Sequence, residues 1–277
     1  MTLRIAEPRL VQTRLGRIAV REYGSPAAPV AVLWHSMFVD SSSWSRVVPA
    51  LREHRRLVVV DGPGYGDSDD LTSVTTMAEC ADAARELLDA LDVPAADWVG
   101  NAWGGHVGYQ LDAEHPGRVR SLVAISSPPK PLPALERARV ALLRPVLAAV
   151  GPAPFLVDLV AEAQLTDFSR AADAESVSII RNAMARQSRR SLSTTVASFV
   201  IGRRDLTRAL ARGSAPALFV ASDDRGEWGP DDAAAAASLR SGATAITVSW
   251  ARTLIPVEQP ATLARRIIEF WQSRDRL

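Results

Sequence analysis

The sequence predicts an α/β protein: a doubly wound, mostly parallel sheet into which a helical cap is inserted. Three observations lead there. Short apolar runs alternate with segments of helical periodicity from residue 29 to 126, and again from 217 to 273. One of these runs, Trp98-Val99-Gly100, enters a glycine-flanked corner at Asn101-Ala102-Trp103-Gly104-Gly105 and continues with helical patterning. Between the two alternating stretches, residues 128–212 hold helical patterns and no convincing strand, opened by Pro128, Pro129, Pro131 and Pro133. The 277 residues therefore divide into a core, 1–127 with 213–277, and a cap, 128–212.

Each element has its own signal. Residues 9–15 and 17–23 read as two antiparallel strands turning at Gly16. Residues 29–35 (PVAVLWH) form a continuous apolar run, as a strand buried on both faces requires. A loop over 36–43 leads to a helix expected from about Trp44 to His54. Residues 57–61 (LVVVD) are a second buried strand, followed by the turn Asp61-Gly62-Pro63-Gly64-Tyr65-Gly66-Asp67-Ser68. Apolar residues recur at helical spacing over 77–91 and predict a helix ending before Pro94. Residues 97–100 are the central strand, 102–115 its helix and 120–126 the next strand. Beyond the cap, 217–221 and 243–249 read as strands, 231–239 as a helix and 256–273 as a long amphipathic closing helix.

Composition narrows the function classes. A hydrophobic content of 47% suits a soluble globular chain, and no apolar run reaches the roughly 18 residues that span a bilayer. No membrane partner is expected, and the start of the chain carries no basic-then-apolar leader, so the expected location is cytoplasmic. The net charge of +1 gives no field for nucleic acid. Within 128–212 there are 13 basic and 7 acidic residues, read as a solvated outer face or, alternatively, as an attraction for an anionic substrate. The single Cys80 excludes an internal disulfide and a cysteine metal cluster and reads as a small packed residue. No metal-ligand spacing and no dinucleotide fingerprint appear, so neither metal nor cofactor is expected. The expected partner is a small molecule, bound by a monomer or homodimer.

The corner carries the chemistry question. A strand-to-helix turn of pattern Gly-x-Nuc-x-Gly needs small residues on both sides of its apex so that the backbone can bend and two elements can close together. Gly100, Gly104 and Gly105 stand where that geometry wants them, but the apex is Ala102, which has no nucleophilic atom.

This order of motifs resembles the α/β-hydrolase superfamily over nearly the whole chain. Leu33-Trp34-His35-Ser36-Met37 resembles the strand and His-Gly loop that supplies one oxyanion donor, and residues 61–68 resemble the D-x-P-G-x-G-x-S turn. Residues 100–105 resemble the nucleophile elbow, and Ile255-Pro256-Val257-Glu258-Gln259-Pro260 the segment after the family's catalytic histidine. His-Ser in place of His-Gly is similar to enol-lactone hydrolases, and Trp103-Gly104 is similar to haloalkane dehalogenases and epoxide hydrolases. The resemblance implies a triad of nucleophile, acid and late histidine. In this chain those positions fall on Ala102, on the neighbourhood of Asp223, Asp224 and Arg225, and on Thr253. The four histidines, His35, His54, His106 and His115, all precede residue 116, so no register restores the family's order.

What remains is a backbone oxyanion site, which the resemblance assigns to the amides of Met37 and Trp103. His35 reads as a proton shuttle or as a structural histidine, and His106 as a packed second-layer residue. His54 and His115 read as exposed helix ends. Asp40 reads as a base or a loop cap, and Asn101 as a ligand donor or a support for the corner. Asp61 and Asp67 are expected to bond the backbone of their own turn. Trp34 and Trp103 read as pocket walls. Ser36 borders the site, and it and Ser126 are hydroxyls without a recognisable base. The expected function is binding of a small, largely apolar substrate under the cap by an atypical enzyme, a cofactor-free lyase, isomerase, cyclase or unusual hydrolase. The alternatives are a pseudo-hydrolase that binds a ligand, and a hydrolase inactivated at position 102.

Overall fold

The structure is a computed structural model that describes residues 6–224 and 226–276. Eight strands form one sheet: β1 (Arg9–Thr13), β2 (Gly16–Tyr23), β3 (Val30–Trp34), β4 (Arg56–Asp61), β5 (Ala96–Asn101), β6 (Val119–Ile125), β7 (Ala217–Ser222) and β8 (Ala243–Val248). Their order is β1-β2-β4-β3-β5-β6-β7-β8. The β1–β2 and β2–β4 pairs are antiparallel and all others parallel. The continuous apolar runs sit in the interior strands, where both faces are covered: Val32, Leu33, Val58, Val60 and Val99 are fully buried. The expected doubly wound architecture is what forms.

Helices cover both faces. They are α1 (Val48–Leu51), α2 (Met77–Ala90), α3 (Trp103–Glu114), then α4 (Ala134–Val150), α5 (Pro154–Gln164), α6 (Asp167–Ala172), α7 (Ala174–Arg186), α8 (Arg189–Thr195) and α9 (Thr207–Arg212) between β6 and β7. After β7 come α10 (Pro230–Ser238), α11 (Ile255–Glu258) and α12 (Pro260–Asp275). α2 begins with a capping box in which Thr76 and Glu79 satisfy each other's backbone amides. Cys80 lies on its inner face, fully buried, and burial raises its thiol pKa well above the usual range.

Two expected helices are shorter than their periodicity suggested. The helix expected over 44–54 reduces to a 3₁₀ turn at Ser41–Trp44 and the four-residue α1. Pro49 has no amide to continue a helical ladder and is accepted only at the start of α1. The closing helix expected over 256–273 is two helices, because Pro260 begins a new one after α11.

The segment between β6 and β7 has its own apolar core. Leu156, Val157, Ile180, Met184, Leu192 and Val196 pack together and against Val39 and Leu254 of the sheet's loops and Val257 of α11. Polar ties dock it on the glycine-rich turn after β4. Gln187 and Ser191 both donate to the Gly64 carbonyl, at 2.9 Å and 3.1 Å.

Candidate functional site

The site is built where β5 meets α3. Ala102 has φ +47 and ψ −105, a backbone conformation that a residue with a Cβ rarely adopts. Its amide donates to the Ile125 carbonyl at 2.7 Å, which fixes the apex to β6. A Cβ on Gly100 would overlap the backbone of Gly104, and one on Gly104 would overlap the Trp34 carbonyl oxygen. The glycines are thus required by close approach, and they hold a strained alanine at the top of the bend.

Ala102 borders a cavity of about 860 Å³, within the range that encloses small ligands. Ser36, Met37, Trp103 and Thr253 line the same cavity, so the corner, the loop after β3 and the loop after β8 converge there. Phe38, Phe199, Leu132 and Trp228 make much of its wall apolar. Trp103 is buried and stacks on Phe199 of the inserted segment, with ring centroids 4.5 Å apart and planes at 28°.

The loop that holds Thr253 is pinned from several sides. Asn101 Nδ2 donates to the Thr253 carbonyl at 2.9 Å and to the Ile125 carbonyl at 3.1 Å. The amides of Thr253 and Leu254 donate to the backbone carbonyl of Gln164 at 3.1 Å and 3.2 Å. The side chain of Gln164 in turn donates from Nε2 to the Met37 carbonyl at 2.9 Å. Asn101 Oδ1 and Gln164 Oε1 are buried acceptors that find no donor among the described residues.

The acid positions are engaged elsewhere. Asp223 Oδ1 accepts the Trp250 amide at 2.9 Å. Asp224 Oδ2 accepts from Arg252 Nη2 at 2.8 Å and Nε at 3.1 Å. The Arg252 side chain is 4% exposed and also reaches the Glu162 carbonyl, while its amide donates to Glu258 Oε2 at 2.7 Å. An arginine thus takes up Asp224 where the family pattern places an imidazole. Arg225, the third residue of the acid neighbourhood, lies outside the described residues.

The structure selects one of two sequence readings for His35 and for Asp40, and changes the readings of Trp34 and Asp67. His35 is fully buried with both ring nitrogens committed: Nδ1 meets the Ser36 carbonyl at 2.6 Å and Nε2 accepts the Gly62 amide at 2.9 Å. That fixes the Nδ1–H tautomer and leaves no nitrogen for a proton shuttle. Burial lowers its pKa, against the opposing pull of the Ser36 carbonyl, Asp61 and Asp40. Trp34 does not border the cavity; it lies under the corner, stacked on Trp98 and edge-on to Trp103, each at 5.6 Å. Asp40 caps the 3₁₀ turn through Ser42 N–H at 2.9 Å and faces a separate cavity of about 130 Å³ with Arg21 and Arg186. Asp67 pairs with Arg21 and Arg186 through its carboxylate instead of bonding its own turn.

Asp61 does hold the turn, accepting Ser41 N–H at 2.8 Å, Asp67 N–H at 3.0 Å and Arg21 Nη1 at 2.8 Å. Burial would raise its pKa, but these donors overcome that and keep it below the ordinary carboxylate value. Tyr65 reaches Met37 Sδ at 3.3 Å, and burial pushes its hydroxyl up to about 12, so it stays protonated.

Other cavity residues carried weaker sequence signals. His106, one helical turn past Ala102, borders the cavity while Nε2 meets the Pro128 carbonyl at 2.8 Å. Burial, helped by the charge of Arg203, sets its pKa well below the ordinary histidine value. Ser126 also borders the cavity, with φ +47. Gln164 and Arg203 come from the inserted segment and had no motif to mark them. No group of three or more His, Cys, Asp or Glu side chains among the described residues could hold a metal ion.

The sheet order, the corner and the converging loops define the α/β-hydrolase fold. A family model described as the alpha/beta hydrolase fold matches residues 29–146. Epoxide hydrolase A of Mycobacterium tuberculosis is 35% identical over 139 residues, which are 48% of this chain and 40% of that protein. The chain therefore matches about two fifths of that relative's length. A thermophilic esterase from Thermogutta terrifontis superimposes with a TM-score of 0.87 at 20% identity, covering 97% of this chain and 99% of the other. The enol-lactonase from Burkholderia xenovorans LB400 gives 0.87 at 20% identity, covering 95% and 100%. The sequence matches to alpha/beta hydrolase proteins span less than half of the chain, and the structural likenesses carry the fold.

Proposed function

We propose that this chain is a cofactor-free enzyme acting on a small, largely apolar carbonyl compound held under a cap formed by residues 128–212. The amides of Met37 and Trp103 receive the carbonyl oxygen as it gains negative charge, a contribution of roughly 3 kcal/mol per donor. Neither amide donates to a backbone or side-chain acceptor among the described residues. With no nucleophile at 102 and no late imidazole, the reaction runs without an acyl-enzyme, as a lyase, isomerase, cyclisation or unusual hydrolytic step. A carbonyl compound is the class whose developing oxyanion two such backbone amides would receive.

The observation that carries this reading is the apex itself. Ala102 retains φ +47 at the cavity wall, a conformation worth about 1–2 kcal/mol of strain in a non-glycine residue. A turn kept in that geometry continues to aim the Trp103 amide, which is useful only if something accepts it.

A second reading, a ligand-binding protein, has its own support. His35 spends both ring nitrogens on backbone groups and His106 one on the Pro128 carbonyl, so proton transfer has few carriers.

The test is incubation with a panel of lactones, activated esters and enolisable carbonyl compounds, alongside a fluorophosphonate probe. The enzyme reading expects turnover beyond one equivalent and no covalent labelling. Tight binding without turnover selects the binding protein, and stoichiometric labelling overturns both.

A further inference from the structure

Three hydroxyl side chains meet at the wall of the large cavity. Ser126 follows β6, Ser222 ends β7 and Thr253 lies in the loop after β8, and all three border the cavity. The fold draws them together. Asn101 Nδ2 holds the carbonyls of Ile125 and Thr253 at once, which sets Ser126 beside Thr253. The Ser126 amide donates to the Val220 carbonyl at 2.9 Å, which sets it beside the end of β7, about 4.8 Å away as neighbouring strands are.

These hydroxyls are short of partners. Ser222 is 1% exposed and Ser126 7%. Ser126 Oγ makes one long bond, to the Arg252 carbonyl at 3.4 Å, while Ser222 Oγ and Thr253 Oγ1 make none among the described residues. Buried hydroxyls are nearly always hydrogen-bonded, and what these lack can arrive only from the cavity they border. Ser126 also holds φ +47, the same left-handed backbone as Ala102 at the end of the adjoining strand β5. The lining discriminates against an anion. Its charged residues, among those described, are Lys130, Arg203, Glu136 and Glu227, two of each sign, and Arg203 is taken up by Glu227 at 2.7 Å. A neutral hydroxyl donates and accepts as these side chains do, so it answers both halves of the cluster.

We infer that Ser126, Ser222 and Thr253 read a hydroxyl group that the substrate carries a few carbons from its carbonyl, so that the substrate class is an uncharged hydroxy-carbonyl compound. The inference rests on the carbonyl reading above and adds a second polar point to it. The Met37 and Trp103 amides take the carbonyl oxygen, the three side chains take the hydroxyl, and Phe38, Leu132 and Phe199 cover the apolar remainder. A compound without the hydroxyl leaves the buried serines unsatisfied, which is the strongest form of discrimination a neutral pocket has.

The test is calorimetric titration of the full chain with three matched compounds. They are the aldol of benzaldehyde and acetone, benzylacetone, which lacks its hydroxyl, and phenyl propyl carbinol, which lacks its carbonyl. The aldol is expected to bind about tenfold more tightly than benzylacetone. Ser126→Ala with Ser222→Ala is expected to erase that preference and to leave the affinity for benzylacetone unchanged, which a merely structural role for the serines would not do. Thr253→Val, of nearly the same shape, is expected to cut the preference about threefold. Ser222→Ala alone is expected to keep the melting temperature, since its hydroxyl has no bond within the protein to lose. Equal affinity for the aldol and benzylacetone overturns the inference and leaves the carbonyl reading standing, and so does a preference that survives the double substitution. Carbinol binding as tight as that of the aldol keeps the hydroxyl site and removes the carbonyl reading. Binding of none of the three overturns both.

Discussion

Asn101 Nδ2 donates to the carbonyl of Thr253 at 2.9 Å, joining the residue before the apex to the loop where the fold's histidine would stand. The same nitrogen holds the Ile125 carbonyl at 3.1 Å. One amide group therefore ties together the two positions where the family pattern has a nucleophile and a histidine and this chain has Ala102 and Thr253.

Asn101→Ala removes both donors from a buried site; the Ile125 carbonyl keeps the Ala102 amide and the Ser127 hydroxyl, but the Thr253 carbonyl loses its Asn101 partner. It is expected to destabilise the fold by about 2–3 kcal/mol, read from the urea midpoint at constant slope. A loss below about 0.5 kcal/mol would mean that water replaces the amide and the loop is not held by it.

Position 102 separates strain from chemistry. Ala102→Gly is expected to stabilise by up to about 1 kcal/mol, because glycine accepts φ +47 without a Cβ penalty and this gain exceeds the added flexibility of the unfolded chain. Ala102→Ser is expected to fold and to give no burst from an activated ester, since no imidazole stands at 253 to take its proton. A burst of one equivalent would show that His106 or another group already serves as a base.

Acid sensitivity should begin near neutrality. Burial lowers the pKa of His35 and of His106 from the ordinary value of 6.5. The unfolded chain then binds protons that the folded one refuses. Their contribution is complete above the unfolded pKa and is lost as pH falls below it. Each histidine is expected to add about 1.4 kcal/mol of destabilisation per pH unit below about 6.5, until its folded form titrates. A melting temperature that stays flat from pH 7 to about pH 5 would contradict this. His106→Gln should flatten part of the slope.

Arg252 is a structural cation. Its guanidinium joins Asp224 after β7 to the Glu162 carbonyl in α5. Arg252→Met is expected to cost about 2–3 kcal/mol, less than the loss of a fully buried pair because the Asp224 side chain is 26% exposed. Arg252→Lys should recover little, since an ammonium cannot span both acceptors as the fork does. Full stability in Arg252→Lys would show that charge alone suffices.

The frame was legible because its signals are local. The run over 29–35 and the glycines around Ala102 each dictate their own conformation. The convergence of Ala102, Thr253, Met37 and Trp103 on one cavity followed from the resemblance and is what the structure brings together. The sequence could not reveal that His35 would spend both nitrogens on backbone, or that Trp34 would turn beneath the corner. Those outcomes depend on partners 1 to 69 positions away in the chain. Gln164 and Arg203 carried no pattern, because side chains from an inserted segment reach the site only through tertiary packing.

Gln164 takes two amides from the loop after β8 and gives one donor to the loop after β3, so α5 is bolted to both rims of the chamber. Lifting α5 breaks these three hydrogen bonds together with the one from Arg252 to the Glu162 carbonyl. The α5 wall of the chamber is thereby tied to two loops through one residue, and a change at Gln164 reaches both of them.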